Sequence, residues 1–460
     1  MRFRSIPVRA LSLSTALLVI PDAPLAAQPR DADLAALREQ IRQLDQQLRV
    51  LERKQELRDE EAFAAARATP SVTVNDRGFT FASGDGAHSL RLRGLIQADS
   101  RWYLNDGGIA NNDAFILRRA RIIAEGAFNR WVQYQIVPEF GGGSTTLLDA
   151  NLTLALSPKA QLKLGKYKSP VGLEQLQSDS WAFFTERSLV SGFVPNRDIG
   201  VQLSGDLLGD GWLNYTVGVF NGVPDGTSNT NNADFDDDKE FVARLFAHPF
   251  KTATDSPFAG LGFGVAVSLA PGSETAAALT SGYRTEGQQR FFAYGAHTVA
   301  DGDTWRLSPQ AYLYSGSFGA QVEYVQSVVN VRSGTNRAEL KHEAWQASAG
   351  YVLTGEKASY HGVAPRQNFT FGGEGWGAFE IVGRVSHASI DAATFPLFAN
   401  PAANASSVTT YGLGLNWYLT RSLRAALNYF HTEFDTALAP STALLREGEN
   451  ALITRLQLAF

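Results

Sequence analysis

Arginines recur at alternate positions along this chain: Arg91 and Arg93, Arg101, then Arg119 and Arg121, with Lys163, Arg244, Arg306, Arg384, Arg424 and Arg455 following in segments of similar pattern. A guanidinium is planar, permanently charged and able to donate two parallel hydrogen bonds to one phosphate or carboxylate, so a surface carrying several of them attracts and orients oxyanions. Acids of the same parity are fewer, namely Asp99, Glu125, Glu139, Asp149, Glu323 and Glu380. The chain as a whole carries a formal charge of −5, so this excess of arginine on one face is a segregation of charge. A second charged group, Lys168, Glu174, Glu186 and Arg187 with Ser180 among them, falls within one long connection. Nothing points to bond making. There is no Gly-x-Ser-x-Gly elbow, no phosphate loop and no His-Glu-x-x-His, and the 7 histidines are scattered without metal-ligand spacing. The chain has no cysteine, which excludes thiolate ligands, disulfides and a cysteine nucleophile. Asp234-Phe-Asp-Asp-Asp238 offers hard oxygens without the spacing of a calcium loop. These residues imply weak binding and passage of small anions, with no catalysis, cofactor or metal, and the acidic balance argues against nucleic acid as a partner.

Side chains that alternate in this way belong on strands. In Leu90-Arg-Leu-Arg-Gly-Leu-Ile-Gln-Ala-Asp-Ser-Arg-Trp-Tyr-Leu104 the even positions are mostly apolar and the odd ones polar or charged. The pattern returns at 132–136, 151–156, 213–219, 345–351 and 411–419. Glycine (42), phenylalanine (28) and tyrosine (14) set against a single methionine suit a β protein with hinge glycines. Strands are expected near 90–104, 115–128, 131–139, 149–157, 160–167, 198–205, 212–220 and 240–248, then 260–269, 304–316, 319–328, 342–354, 377–388, 406–419, 422–432 and 449–460. These segments have the length of about ten residues or more that a tilted strand needs to cross an outer membrane. An open sheet edge cannot face lipid, so the even-numbered set must close. The expected fold is all-β, a 16-stranded antiparallel transmembrane β-barrel over 79–460, preceded by a short N-terminal helical coiled coil. Connections of 129–130, 157–160 and 420–422 are tight; 249–259 and 355–376 are longer than a turn side should carry, and 288–296 is read as loop. The connection at about 168–197 contains Trp181, Phe183, Phe184 and Leu189, too apolar for a solvated loop, and is expected to fold into the barrel and narrow it.

Ahead of the barrel, Arg2, Arg4 and Arg9 precede the apolar run Ala10–Ile20 and small residues up to Ala27, the layout of a secretory signal over 1–27. Leu34, Leu37, Ile41, Leu44, Leu48 and Leu51 then follow heptad spacing, so 28–61 reads as a periplasmic coiled-coil segment that serves self-association. The alanine-rich stretch and Pro70 mark a linker at 62–78.

Several ordered blocks resemble one family. Ala114-Phe-Ile-Leu-Arg-Arg-Ala-Arg121, Gly165-Lys-Tyr-Lys-Ser-Pro-Val-Gly-Leu-Glu174, Phe184-Thr-Glu-Arg-Ser188, Arg197-Asp-Ile-Gly-Val201, Gly377-Ala-Phe-Glu-Ile381 and Leu415-Asn-Trp-Tyr418 are similar to recurring segments of the phosphate-selective porin O and P family of Gram-negative outer membranes. The resemblance implies a homotrimer of sixteen-stranded barrels, an inward-folded third loop, conduction along arginines and no chemistry. It also implies a lysine in the constriction loop, where this chain has Ser180 with Asp179 beside it. The C-terminal alternation up to Phe460 is similar to the signal read by the barrel assembly machinery, and lipid and lipopolysaccharide would surround the barrel. The expected function is therefore an anion-preferring diffusion channel of the cell outer membrane. Arg91, Arg93, Arg119, Arg121, Arg244 and Arg384 would supply the field, with Lys168 and Arg187 at the narrow point. The alternatives are an unselective porin and a structural anchor using the coiled coil.

Overall fold

The computed structural model describes residues 31–104, 112–230, 237–273, 279, 282–436 and 448–460. The chain divides into two compact units, 1–67 and 68–460. The described residues of the first form one helix, α1 (Asp31–Ala68). Its heptad leucines are exposed, from 40% at Leu34 to 64% at Leu51, while its polar faces are laced by pairs such as Arg42 with Glu39 and Arg49 with Asp45, each at 3.0 Å. The sequence places the heptad segment over 28–61, a linker at about 62–78, and the end of the helical stretch at Pro70. Alanine is the best helix former, so the stretch Ala62–Ala68 continues the helix instead, and Pro70 stops it. The signal segment expected at 1–27 and most of the acidic run at 234–238 lie outside the described residues.

The second unit opens with a hairpin, β1 (Ser71–Asn75) and β2 (Gly78–Ala82), where a linker was expected. Its alternating Val72, Val74, Phe79 and Phe81 give one apolar face, and β2 continues onto the next strand by pairing Phe79 with Leu92. The wall follows: β3 (Ser89–Tyr103), β4 (Ala114–Phe128), β5 (Val132–Glu139), β6 (Thr146–Ser157), β7 (Ala160–Lys168), β8 (Arg197–Asp206), β9 (Leu213–Phe220), β10 (Glu240–Ala247) and β11 (Gly260–Ser273). A small separate hairpin comes next, β12 (Tyr283–Arg284) and β13 (Arg290–Phe292), in part of the stretch read as loop. The wall resumes with β14 (Thr298–Ser315), β15 (Phe318–Ser333), β16 (Asn336–Val352), β17 (Ala378–Ser389), β18 (Ala405–Tyr418), β19 (Leu423–Thr436) and β20 (Glu449–Ala459). Neighbours pair antiparallel throughout, and β20 returns to β3 with Leu452 opposite Trp102 and Leu458 opposite Ile96, closing a sixteen-strand barrel. At that seam Gly94 has no room for a side chain, because a Cβ there would meet the Phe460 ring at 2.6 Å. Phe460 also exchanges backbone hydrogen bonds with Gly94 and meets Phe79 edge-on at 6.0 Å.

The alternation sorts side chains as expected. On β3, Gln97, Asp99 and Arg101 are buried inward while Ile96 and Trp102 face out, and Phe115, Ile122, Leu152, Phe241 and Leu413 extend the apolar exterior. Inserted segments bury the inner face. From the end with long loops, Leu189, Val190 and Phe193 meet Tyr283, Phe291 and Phe292 in one apolar core, with Phe193 stacked on Tyr283 at 4.1 Å. The contrast of short turns with long loops fails in three places, one of them the twelve residues 248–259 that join β10 to β11 at the turn end. A tight turn at 334–335 joins β15 to β16 at the loop end. At the turn end, 353–377 is long because its middle folds inward, where Tyr360 donates to the Leu173 carbonyl at 2.8 Å.

Candidate functional site

The connection between Lys168, the last residue of β7, and Arg197, the first of β8, lies across the lumen. Those two ends pair with each other, so the loop leaves and re-enters the wall at one point. Its apolar residues Phe183, Phe184, Leu189, Val190, Phe193 and Val194 are at most 6% exposed, which gives the segment a hydrophobic reason to stay inside. Wall side chains satisfy its backbone. Arg424 donates to the carbonyls of Ala182 at 2.8 Å and Phe183 at 3.0 Å, and Asn416 donates to that of Phe183 at 2.9 Å. The Asn428 side-chain oxygen accepts from Thr185 N–H at 2.8 Å, and the Glu323 carboxylate accepts from Leu173 and Glu174 N–H at 2.7 and 3.1 Å. Buried backbone groups need such partners, and here the barrel wall provides them.

Two loop carboxylates organise the charges. Glu186 holds Arg101 at 2.6 Å, Arg118 at 2.7 Å and Arg455 at 3.4 Å. Asp179 holds Arg187 at 2.6 Å and Arg119 at 3.1 Å and is also paired with Arg121, which reaches Glu139 at 2.5 Å as well. Asp99 binds Arg455 at 2.6 Å and Arg101 at 3.1 Å. Burial works against ionising Asp179, but Arg119, Arg187 and Arg121 outweigh it and hold its carboxyl well below the usual range. At Glu186 burial is likewise overcome, chiefly by Arg118, and its carboxyl is also held low. Lys168 donates to the Gln177 carbonyl at 2.8 Å, which also accepts from Arg187 at 3.1 Å. With Arg384 paired to Glu174, seven arginines and Lys168 stand against five carboxylates in this network, so positive charge is in excess.

Arg119, Arg121, Lys168, Glu186 and Arg187 thus come together around the loop. Ser180 lies beside them, its hydroxyl 2.9 Å from that of Ser178 and its carbonyl accepting from Gln457 at 3.1 Å. Arg384 and Glu174 require a correction. They pair behind the loop with side chains 1% and 2% exposed, because the loop brings Glu174 onto β17, so they anchor the loop and do not line open lumen. Arg91 and Arg93 sit apart at the turn end, sharing Glu125 at 3.6 and 2.8 Å. There Arg91 lines a cavity of about 490 Å³ with Thr80, Gln133, Gln135, Asn151 and Thr153. Arg244 is on β10 with Gln310 as its partner, away from the cluster. Alternation misses Arg118, which has the parity of the lipid face. A bulge opposite Gln97 and Ala98 turns it inward, where it grips Glu186 with two nitrogens.

The model of the phosphate-selective porin O and P family matches residues 90–460. This chain belongs to that family. It is an outer-membrane porin channel of the Gram-negative type. Among curated proteins, Porin O of Pseudomonas aeruginosa is 23% identical over 440 residues, covering 87% of this porin and 95% of that protein. An anion-selective porin from Comamonas acidovorans has the same fold, with a TM-score of 0.51 at 11% identity over 81% of this chain and all of its own. Outer-membrane expressed OmpT of Vibrio cholerae matches similarly, with a TM-score of 0.51 at 11% identity over 81% of this porin and 98% of its own chain.

Proposed function

We propose that this porin is a diffusion channel that prefers small anions, with selectivity set where the loop at 169–196 meets β4 and β7. The observation that carries the reading is the excess of arginine and lysine over carboxylates around Asp179 and Glu186. Arg118, Arg187 and Arg121 have side chains 30%, 16% and 11% exposed, so each has guanidinium surface left for a passing anion. Phosphate is the solute suggested by the family's description. Ser180 in place of a lysine makes the binding weaker here, with Lys168 and Arg187 supplying the remaining attraction. The protein acts as a homotrimer, exported by the signal at 1–27, with the exposed heptad face of α1 associating between copies in the periplasm. Phe460, laid across the closing seam, is the residue read by the assembly machinery, and the apolar exterior meets lipid and lipopolysaccharide.

The test is the reversal potential of the mature protein in a planar bilayer across a KCl gradient, followed by phosphate titration of single-channel current. A chloride-side reversal with phosphate block supports the reading, and a reversal at zero or on the cation side overturns it. A second reading, an unselective porin, draws on one specific observation: each arginine around Asp179 and Glu186 already has a carboxylate within 3.4 Å.

A further inference from the structure

Six strands round the ring from β4, one lumen arginine is held in another way. Arg244 on β10 donates through Nε and Nη2 to the Gln310 side-chain oxygen at 3.1 and 2.9 Å. Among the described residues no carboxylate lies within ion-pair distance of it, unlike the arginines around Asp179 and Glu186. Its guanidinium lies over the Phe246 ring, 4.4 Å from the centroid. Phe246 meets Tyr312 at 5.4 Å, and Tyr312 is stacked on Tyr360 at 5.1 Å and 23°. The rings continue through His361, 5.8 Å from Tyr360, to Trp181 of the constriction loop at 4.6 Å. Four separate elements therefore converge here: β10, β14, the turn-end segment 353–377 and the constriction loop. Gln310 ties the site to that loop by donating to the Val171 carbonyl at 2.8 Å.

We propose that Arg244 and these rings form a second binding station in the pore, for planar organic anions and aromatic carboxylates in particular. The inference rests on the anion-channel reading and names a solute class for it. A guanidinium whose only side-chain partner is a neutral amide oxygen can exchange that bond for a bidentate, charge-assisted one to a carboxylate. The aromatic faces beside it reward a flat apolar body through offset or edge contacts, which acetate and inorganic phosphate cannot make. Around Asp179 and Glu186 the guanidiniums are held by the protein's own carboxylates, so an incoming carboxylate must compete for them. At Arg244 the solute brings the missing partner.

The experiment is block of single-channel current in KCl by benzoate and by acetate, with the full-length porin. The wild type is expected to be blocked by benzoate at concentrations about tenfold lower than by acetate. Arg244→Gln weakens block by both anions, because both use the guanidinium. Tyr360→Leu and Tyr312→Leu lower the benzoate-to-acetate preference severalfold and weaken acetate little, because only the ring contact is removed. If Arg244→Gln fails to insert, the two tyrosine variants decide alone. Equal block by the two anions in the wild type, or an unaltered preference in both tyrosine variants, overturns the proposal. Reversal potential on the same membranes separates the two readings: a value near zero removes the anion-channel reading, whereas a chloride-side value without benzoate preference removes only the station at Arg244.

Discussion

The β3–β4–β20 wall and strand β10 both turn arginine into the lumen, and they use it in opposite ways. On the first, Arg101, Arg119, Arg121 and Arg455 are gripped by Asp99, Asp179 and Glu186, and little of their charge is free to act beyond the next few ångströms. On the second, Arg244 has an amide oxygen and a ring face. Residue type is the same in both places; what differs is whether the constriction loop supplies a counter-charge. A count of lumen arginines therefore overstates the field on the first wall, and the selectivity of the pore depends on charges that are held in surplus.

The strongest way to break this contrast is to remove the counter-charge. Glu186→Ala leaves Arg101, Arg118 and Arg455 close together without their shared carboxylate, a loss of about 3–5 kcal/mol for a buried pair. The loop is expected to lift from β3 and β20, seen as a severalfold higher and noisier single-channel conductance and a lower unfolding temperature. An unchanged conductance would show that the apolar core around Phe193 seats the loop without help. Next in size, Arg119→Ala combined with Arg121→Ala removes two of the three arginines paired to Asp179 and leaves only Arg187 on it, so most of the local positive surplus is lost. Reversal potential should move toward the cation side, with the anion-to-cation permeability ratio falling about tenfold. Arg118→Gln is a smaller test, because this side chain is partly exposed and two other arginines remain on Glu186. A permeability ratio reduced about twofold is expected from loss of one exposed charge, and no change would return Arg118 to the lipid face that simple alternation gives it.

The smallest effect is with pH. A carboxylate whose folded pKa is depressed contributes stability that is present above its unfolded value, about 4, and is lost only as pH falls through the folded value. Asp179 and Glu186 are both depressed, so conductance should be flat from about pH 8 down through the ordinary carboxylate range, with loop release confined to stronger acid. A current that grows as pH rises toward neutral would implicate Glu286 instead. This loop carboxyl near the mouth is pushed up by burial and bonded to Ser386, and charging it weakens the docking of its hairpin.

Much of the architecture was legible in the chain. The sixteen strands appear where they are expected, with β14, β15 and β16 five or six residues longer at the loop end, because a half-buried strand writes its period of two into local sequence. The loop at 169–196 announced itself by carrying Trp181, Phe183, Phe184 and Leu189 where a solvated loop would carry polar residues. The hairpin at 71–82 was missed because strands of five residues offer too few alternations to stand out. The inward turn of 353–377 was missed because its reason lies elsewhere, in Leu173 and Gln177 of the constriction loop. Arg118 was missed because a bulge is a property of two paired strands, and only one of them contains the residue.

Sequence by itself determined which residues face lipid and which face the lumen over most of the wall, how many strands close, and that α1 carries a heptad seam. Those are local properties, fixed by periodicity within a dozen neighbours. Only the tertiary structure decided which guanidiniums are neutralised. Arg455 and Asp99 are 356 residues apart and meet because the last strand closes on the first, and Arg384 meets Glu174 across 210 residues because the loop crosses the lumen. Electrostatic partners are chosen by distance in space, and in a closed barrel that distance bears no relation to position along the chain.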